Sequence, residues 1–264
     1  MEQQEKQHQT GNRGGRLRRL IDLKNVDFGR AVGWVEDDFH HFGVSVEHDG
    51  SVVTAVRVDP VRYPWATCAQ VATPLQELVG KPLVARASDI GMLVDMRNQC
   101  THVFDLTGLV LAHIRRDEER RRYEVLVDDL EILRWEGGRP KFGGTHASLK
   151  KNGACVMRWK IDSNRISAPP QFAGQALDTG FRAWTEAMDP EPAEYATILR
   201  RAILVAGGRA VDHDLVPSAG ALGMPALCHS FQPVRREHAL RMMGSTRNYE
   251  ASADGMLASV DVLP

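Results

Sequence analysis

Two alternating segments joined by Asp49-Gly50 constrain this chain more than any other feature. Phe42 to His48 alternates apolar and polar side chains. Ser51 to Asp59 does so again, with Val52, Thr54, Val56 and Val58 expected on one face. Successive side chains of a strand point to opposite faces, and Asp-Gly suits the backbone of a tight turn, so the pair reads as an antiparallel hairpin. Pro60, Tyr63-Pro64 and Trp65 are expected to end this sheet, because the residue before a proline is pushed towards extended or turn geometry.

Helices follow the hairpin. Thr67 to Val79 reads as a helix closed by Gly80, with a kink or a break at Pro74. Ser88 to Ile114 is the longest apolar-periodic segment and reads as one helix, capped by Ser88 with Asp89 in its first turn. The charged block Arg115 to Arg122 is expected to carry the chain out to solvent and to mark a boundary between halves. The second half restarts with strands at Tyr123 to Asp128, Leu130 to Trp135, Ala147 to Lys151 and Ala154 to Ile161, turned by Gly137-Gly138 and Asn152-Gly153. Helices are expected over Phe172 to Met188 and Ala193 to Ala206, then a short strand at Leu227 to Phe231, a short helix from Pro233 to Met243 and an irregular tail. Strands precede helices in each half, which fits an α+β fold with helices on one face of antiparallel or mixed sheets better than alternating βαβ units. The expected organisation is a disordered tail over residues 1–19 and two packed strand-then-helix lobes, 20–122 and 123–264.

Charge and composition exclude several function classes. The 33 basic and 34 acidic side chains give a formal net charge of −1, against a general nucleic-acid binder. No run approaches the roughly 18 apolar residues of a membrane-spanning helix, and the polar, basic N-terminal stretch lacks the apolar segment of a signal peptide. Cytoplasmic residence is therefore the expectation. Cys68, Cys100, Cys155 and Cys228 are widely separated with no CxxC pairing, which predicts free thiols rather than a zinc site. Gly207-Gly208 has no GxGxxG or GxxxxGK around it, so no nucleotide cofactor is expected.

The residues that could carry chemistry are few. His102 and Asp105 are three apart in the expected long helix and would be neighbours on one face, where a carboxylate can orient an imidazole as a general base. Cys100, two positions before His102, points elsewhere and is expected chiefly to pack. Arg57, Asp59, Arg62 and Tyr63 cluster at the end of the second strand, where Tyr63 could donate a proton and Arg57 could bind a carboxylate or phenolate. His40-His41 follows Glu36-Asp37-Asp38. Adjacent residues on a strand face opposite ways, so at most one of the two histidines joins any one site, and a solvated acidic loop is the expectation there. Cys228-His229-Ser230 lacks a nucleophile-elbow or cysteine-protease pattern, although His229 could complete a site from the second half.

Taken in order, these segments resemble one family. The Asp-Gly hairpin, the Tyr63-Pro64-Trp65-Ala66-Thr67-Cys68 turn, the helix ending in Leu78-Val79-Gly80 and the Cys100-Thr101-His102 step are similar to the bacterial family known as domain of unknown function 2889. The likeness extends into the second half at Gln171-Phe172-Ala173-Gly174, Phe181-Arg182-Ala183-Trp184 and the stretch from Gln232-Pro233 to Gly244-Ser245-Thr246-Arg247, so it spans about Leu20 to about Tyr249. The resemblance implies a soluble enzyme or accessory protein of catabolism. It points to the Cys100-Thr101-His102 step and the Tyr63/Cys68 turn, and it suggests breakdown of lignin-derived aromatics with release of formaldehyde.

The expected function is accordingly a cofactor-independent lyase cleaving a carbon–carbon or carbon–oxygen bond of a small aromatic diol. His102, Asp105 and Tyr63 would be its catalytic residues, with Arg57, Trp65, Cys100 and His229 contacting substrate. Two alternatives come from other classes. One is a non-catalytic binder of a hydrophobic or aromatic ligand. The other is a metal-dependent hydrolase or isomerase using His40 or His41 with Asp38, His102 or His229. A homodimer is the default expectation for such a protein.

Overall fold

The computed structural model describes residues 14–116 and 118–258. Eight antiparallel strands hydrogen-bond in the order β10-β9-β8-β5-β1-β2-β3-β4, and β6 and β7 form a separate two-stranded ribbon. With helices packed on the sheet this is an α+β fold. Two compact units divide the chain, one holding Leu20–Arg122, Val216–Arg247 and the chain from Gly255, the other holding the residues up to Arg19, Tyr123–Leu215 and Asn248–Asp254. The chain thus returns to its first unit after completing most of the second. Most of the tail expected to be disordered lies outside the described residues, but β1 (Arg16–Asp27) already begins at Arg16, and Leu17 and Arg19 are buried. Among the described residues no helix is long and apolar enough to cross a membrane.

In the first unit, β1, β2 (Arg30–Glu36), β3 (His41–His48) and β4 (Val53–Arg62) form a meander. The expected hairpin joins β3 to β4. Asp49 Oδ1 accepts from the amides of Ser51 and Val52, and Gly50 takes φ +97°. Its phase differs from the sequence reading. The register slips between Glu47 and His48, so Val53 and Val56 are buried while Thr54 is exposed. A bulge of this kind inserts one residue and reverses the faces beyond it. Strand β4 also continues through Pro60, which is tolerated because β4 is an edge strand.

Strands β2 and β3 are buried on both faces, and α1 (Thr101–Ile114) packs against both strands. Ten of its fourteen residues are buried, the pattern of a helix covered almost all round. Gly33 makes the close approach feasible, since a Cβ there would meet a Val110 methyl at 2.6 Å.

The long helix expected from Ser88 is broken. Short turns at Ala87–Asp89, Ile90–Leu93 and Met96–Asn98 precede α1, because Asp95 Oδ1 accepts from the Arg97 amide and starts a new turn, and His229 N donates to Gln99 O. Cys100 becomes the N-cap of α1, and His102 lies in its first turn rather than mid-helix. The segment around Pro74 is likewise divided, into turns at Ala66–Gln70, Ala72–Leu75 and Gln76–Leu78.

The block after α1 runs out to solvent only in part, with Arg115, Glu119, Arg120 and Arg122 exposed. Arg120 and Arg122 pair with the buried carboxylate of Asp22, and Arg121 is itself buried with Nε 2.9 Å from His113 Nδ1.

In the second unit β5 (Arg120–Asp128), β8 (Thr145–Lys151), β9 (Ala154–Asp162) and β10 (Arg165–Ala168) continue the antiparallel order, and β6 (Ile132–Glu136) and β7 (Arg139–Phe142) project from it. Asn152-Gly153 and Gly137-Gly138 turn at positive φ as expected. Trp159, Phe172, Phe181 and Trp184 interlock edge to face, and the Tyr123 hydroxyl donates to Glu194 of α3 (Pro190–Ala206) at 2.6 Å. The helix expected from Phe172 is confined to α2 (Phe181–Glu186). Before it the backbone pairs with β10 instead, through Ile166 N to Gln175 O and Gly174 N to Ile166 O, and Gly174 and Gly180 take positive φ. Leu227 to Phe231 contains a turn at His229–Phe231 rather than a strand, and Pro233 to Met243 forms turns rather than a helix.

Candidate active site

The turn between β2 and β3 is the most organised polar feature of the first unit. Asp37 N donates to His40 O at 2.8 Å, and Asp37 Oδ1 accepts from the amides of Phe39 and His40, both at 2.9 Å. The same oxygen lies 3.0 Å from His40 Nδ1. A carboxylate there favours the tautomer protonated on Nδ1. The His40 ring stacks on the ring of His102, centroids 3.7 Å apart and planes 25° apart. One donor atom from each of Asp37, His40 and His102 lies within 4.8 Å of the other two.

The acidic stretch is not a solvated loop. Glu36, Asp37 and Asp38 are 3%, 0% and 1% exposed. Tertiary partners account for this. Arg62, at the end of β4, reaches Glu36 Oε1 at 3.0 Å, Asp37 O at 2.6 Å, and Asp38 O and Ser245 O at 2.9 Å each. Leu257 N donates to the other Glu36 oxygen at 2.6 Å, and Arg247 N donates to Asp38 O at 2.8 Å. A buried charged group needs such partners to remain charged, and Glu36 has both oxygens engaged. His41 takes another direction from His40, as the alternation of a strand requires. Its Nδ1 is 3.5 Å from Glu36 and its ring meets Trp34 edge to face, and burial pulls its pKa below the ordinary histidine value although Glu36 opposes this.

The residues singled out in the sequence separate into three places. His102 belongs to the group just described, in which the β2–β3 turn contributes the carboxylate of Asp37; Asp105, three residues further along α1, is half-buried. Tyr63 joins the group through a ladder of rings: it stacks on Phe42 at 6.4 Å, and Phe42 stacks on His40 at 6.1 Å. Arg57 is on the exposed side of β4, 57% exposed and paired with Glu47 at 2.9 Å. It stands opposite Ser45, four residues along β3 from His41, or about 13 Å at strand spacing.

Trp65, Cys100 and His229 meet elsewhere. Trp65 is buried against Phe231 and beneath the Arg241 guanidinium. His229 Nδ1 is 3.1 Å from Asn98 O, just before α1, and burial lowers its pKa. Cys100 is buried near the thiols of Cys68 and Cys228, and Cys68 Sγ is 3.2 Å from the Ser230 hydroxyl. Burial pushes the Cys68 thiol up to about 12 and the Cys100 thiol higher still, so neither is a thiolate nucleophile at neutral pH. Cys100 and His102, two apart at the helix start, have these different neighbours.

Asp37 and His40 are the members of this group least visible in the sequence. The signal was present in Trp34-Val35-Glu36-Asp37-Asp38-Phe39-His40-His41-Phe42, where acids are framed by large apolar residues rather than by the Gly, Ser and Lys of a solvated loop.

Fold and site together define an α+β protein with a buried carboxylate and two half-buried imidazoles grouped at the junction of a hairpin turn and a helix start. The model of the family described as "Protein of unknown function (DUF2889)" matches residues 18–115. The match includes Asp37, His40 and His102; the second-half segments that resemble the family lie outside it. No curated protein matches the chain.

Proposed function

We propose that the protein is a lyase that removes the hydroxyl proton of a small aromatic diol and cleaves the adjacent carbon–carbon bond with release of formaldehyde. The observation that carries this reading is the Asp37–His40–His102 group. A buried carboxylate orients one imidazole, a second imidazole is stacked on it, and the rings of Phe42 and Tyr63 extend from the pair. That arrangement provides proton transfer next to an aromatic surface.

The bond changes are redox-neutral. An imidazole of the pair takes the proton of the primary hydroxyl, and the O–H electron pair becomes the carbonyl of formaldehyde. The electrons of the broken carbon–carbon bond form a new carbon–carbon double bond and expel the oxygen substituent on the benzylic carbon. That oxygen leaves as water or as a phenol once protonated, a role suited to Tyr63. The aromatic substrate class rests on the family resemblance, and with it goes a cytoplasmic homodimer, which light scattering of the purified protein checks.

The test is turnover of diarylpropane- and phenylcoumaran-type diols, followed by formaldehyde release and by the new alkene chromophore. His40→Gln and His102→Gln should each lower kcat by about 100-fold or more, the usual contribution of a positioned acid or base. Folded variants with full activity would remove the reading. Thermal stabilisation of the wild-type protein by the diol without product would replace it with a binding protein.

A further inference from the structure

We infer that Asp37, His40 and His102 form a binding site for one divalent transition-metal ion. The inference rests on the proposed function in one respect, since it names what activates the hydroxyl at that same site: the ion coordinates the substrate oxygen, and the hydroxyl proton passes to an ion-bound hydroxide, which becomes water, in place of an imidazole.

The donor set argues for this chemistry. Two imidazoles and one carboxylate suit Zn2+, Mn2+, Fe2+ or Co2+ rather than Mg2+ or Ca2+, which favour oxygen ligands, and three protein donors leave positions open for water or substrate. Donor atoms around one ion, each at about 2.1 Å, stand roughly 3.4 Å apart in a tetrahedral set. The three donor atoms lie within 4.8 Å of one another, close to that spacing. The stacking of His40 on His102, with centroids 3.7 Å apart, brings the two imidazoles to one place.

The support is also that of a metal site. His40 Nδ1 stands 3.0 Å from Asp37 Oδ1, so these two side chains already hold a nitrogen and an oxygen at the separation of two ligands on one ion. Asp37 is fully buried and its turn is tied by backbone amides and by Arg62, so the turn that carries two of the donors is built before an ion arrives. The third donor comes from the first turn of α1, which packs directly on β2 and β3.

Metal binding is measured directly on full-length protein that has been stripped with a chelator and dialysed. Elemental analysis and calorimetric titration with Zn2+, Mn2+ and Co2+ should give one equivalent of at least one of these ions, and Co2+ should give visible absorption typical of nitrogen and oxygen ligands. His40→Gln, His102→Gln and Asp37→Asn should each weaken binding at least tenfold, while His48→Gln, at the far end of β3, leaves it unchanged. Asp37 is fully buried, so the two histidine variants, confirmed as folded by thermal melting, carry the test if D37N does not fold. Substoichiometric binding of all three ions by folded wild-type protein overturns the inference, as does stoichiometric binding that survives in the H40Q/H102Q double variant. Activity on the diols that persists in chelator and is lost in H102Q would refute the metal and keep the lyase. Residue-dependent metal binding without diol turnover would do the reverse.

Discussion

Replacing Arg62 with Met tests whether the candidate site is held by one buried cation. Its guanidinium is about one-tenth exposed and reaches four acceptors at 3.0 Å or less, on Glu36, Asp37, Asp38 and Ser245. Methionine fills much of the stem volume and removes every donor. The Glu36 carboxylate, 4% exposed, then keeps Leu257 N at 2.6 Å and His41 Nδ1 at 3.5 Å. Breaking a buried ion pair from one side costs about 3–5 kcal/mol, mostly because the remaining charge stays desolvated. The access of water at Arg62 is small, so about 4 kcal/mol is expected for R62M. Urea unfolding followed by the fluorescence of the tryptophans, which include Trp34 in β2 and Trp65 just after β4, reads that loss. The companion variant Glu36→Leu combined with R62M removes the stranded charge, and the double variant should recover more than half of the loss. A loss below about 1 kcal/mol in R62M, or no recovery in the double variant, would refute the view that a buried pair secures this turn.

Two further outcomes follow from a buried histidine and from the thiols. His113 is fully buried, and burial, followed by the charge of Arg121, pulls its pKa down to about 4. The folded protein therefore keeps it neutral while the unfolded chain takes up a proton near pH 6.5, so its contribution is complete above that pH and is lost as pH falls towards 4. The loss is about 3 kcal/mol, and His113→Gln should flatten the stability–pH curve over that window relative to wild type. Thiol titration with a coloured disulfide reagent should find Cys155 reactive in the native protein and Cys68 and Cys100 reactive only after unfolding, because Cys155 is exposed and the other two are buried with raised pKa values. Rapid native labelling of Cys100 would contradict the packing around the start of α1.

The fold was legible where local chemistry decides it. Asp49-Gly50, Asn152-Gly153 and Gly137-Gly138 each turn a hairpin through the backbone preferences of two or three residues. Periodicity also located α1, but not its first residue, because Asp95 captures the Arg97 amide and restarts the chain. The bulge that reverses the faces of β4 has no signal in an alternating pattern of valines and threonine. The site was legible only in part for the same reason. His102 stands out in its segment, yet the carboxylate and imidazole beside it come from more than sixty residues earlier, and helical spacing offers only Asp105. Glu36-Asp37-Asp38 reads as solvated because three adjacent acids are rarely buried. Their burial depends on Arg62 from the far end of a neighbouring strand pair and on the backbone at Arg247 and Leu257, none of which a local pattern can supply.

Those distant supports bear on what the family match means. Residues 18–115 supply Asp37, His40 and His102, but they do not by themselves supply the fastening of the turn that carries two of them. Arg62 bridges that turn to Ser245 O, Arg241 holds Pro64 O and the hydroxyls of Ser245 and Thr246, and Arg247 N closes on Asp38 O. Leu257 sits at φ +55°, a conformation that costs a branched side chain about 1–2 kcal/mol, and its amide is aimed at Glu36 while its side chain is buried. Local strain of this kind persists where surrounding contacts over-determine the backbone. The return of the chain to its first unit after Leu215 is therefore part of how the site is made rigid. Asp37, His40, His102 and the Arg62 that ties their turn come from the matched segment, and the backbone groups that complete the fastening come from beyond it.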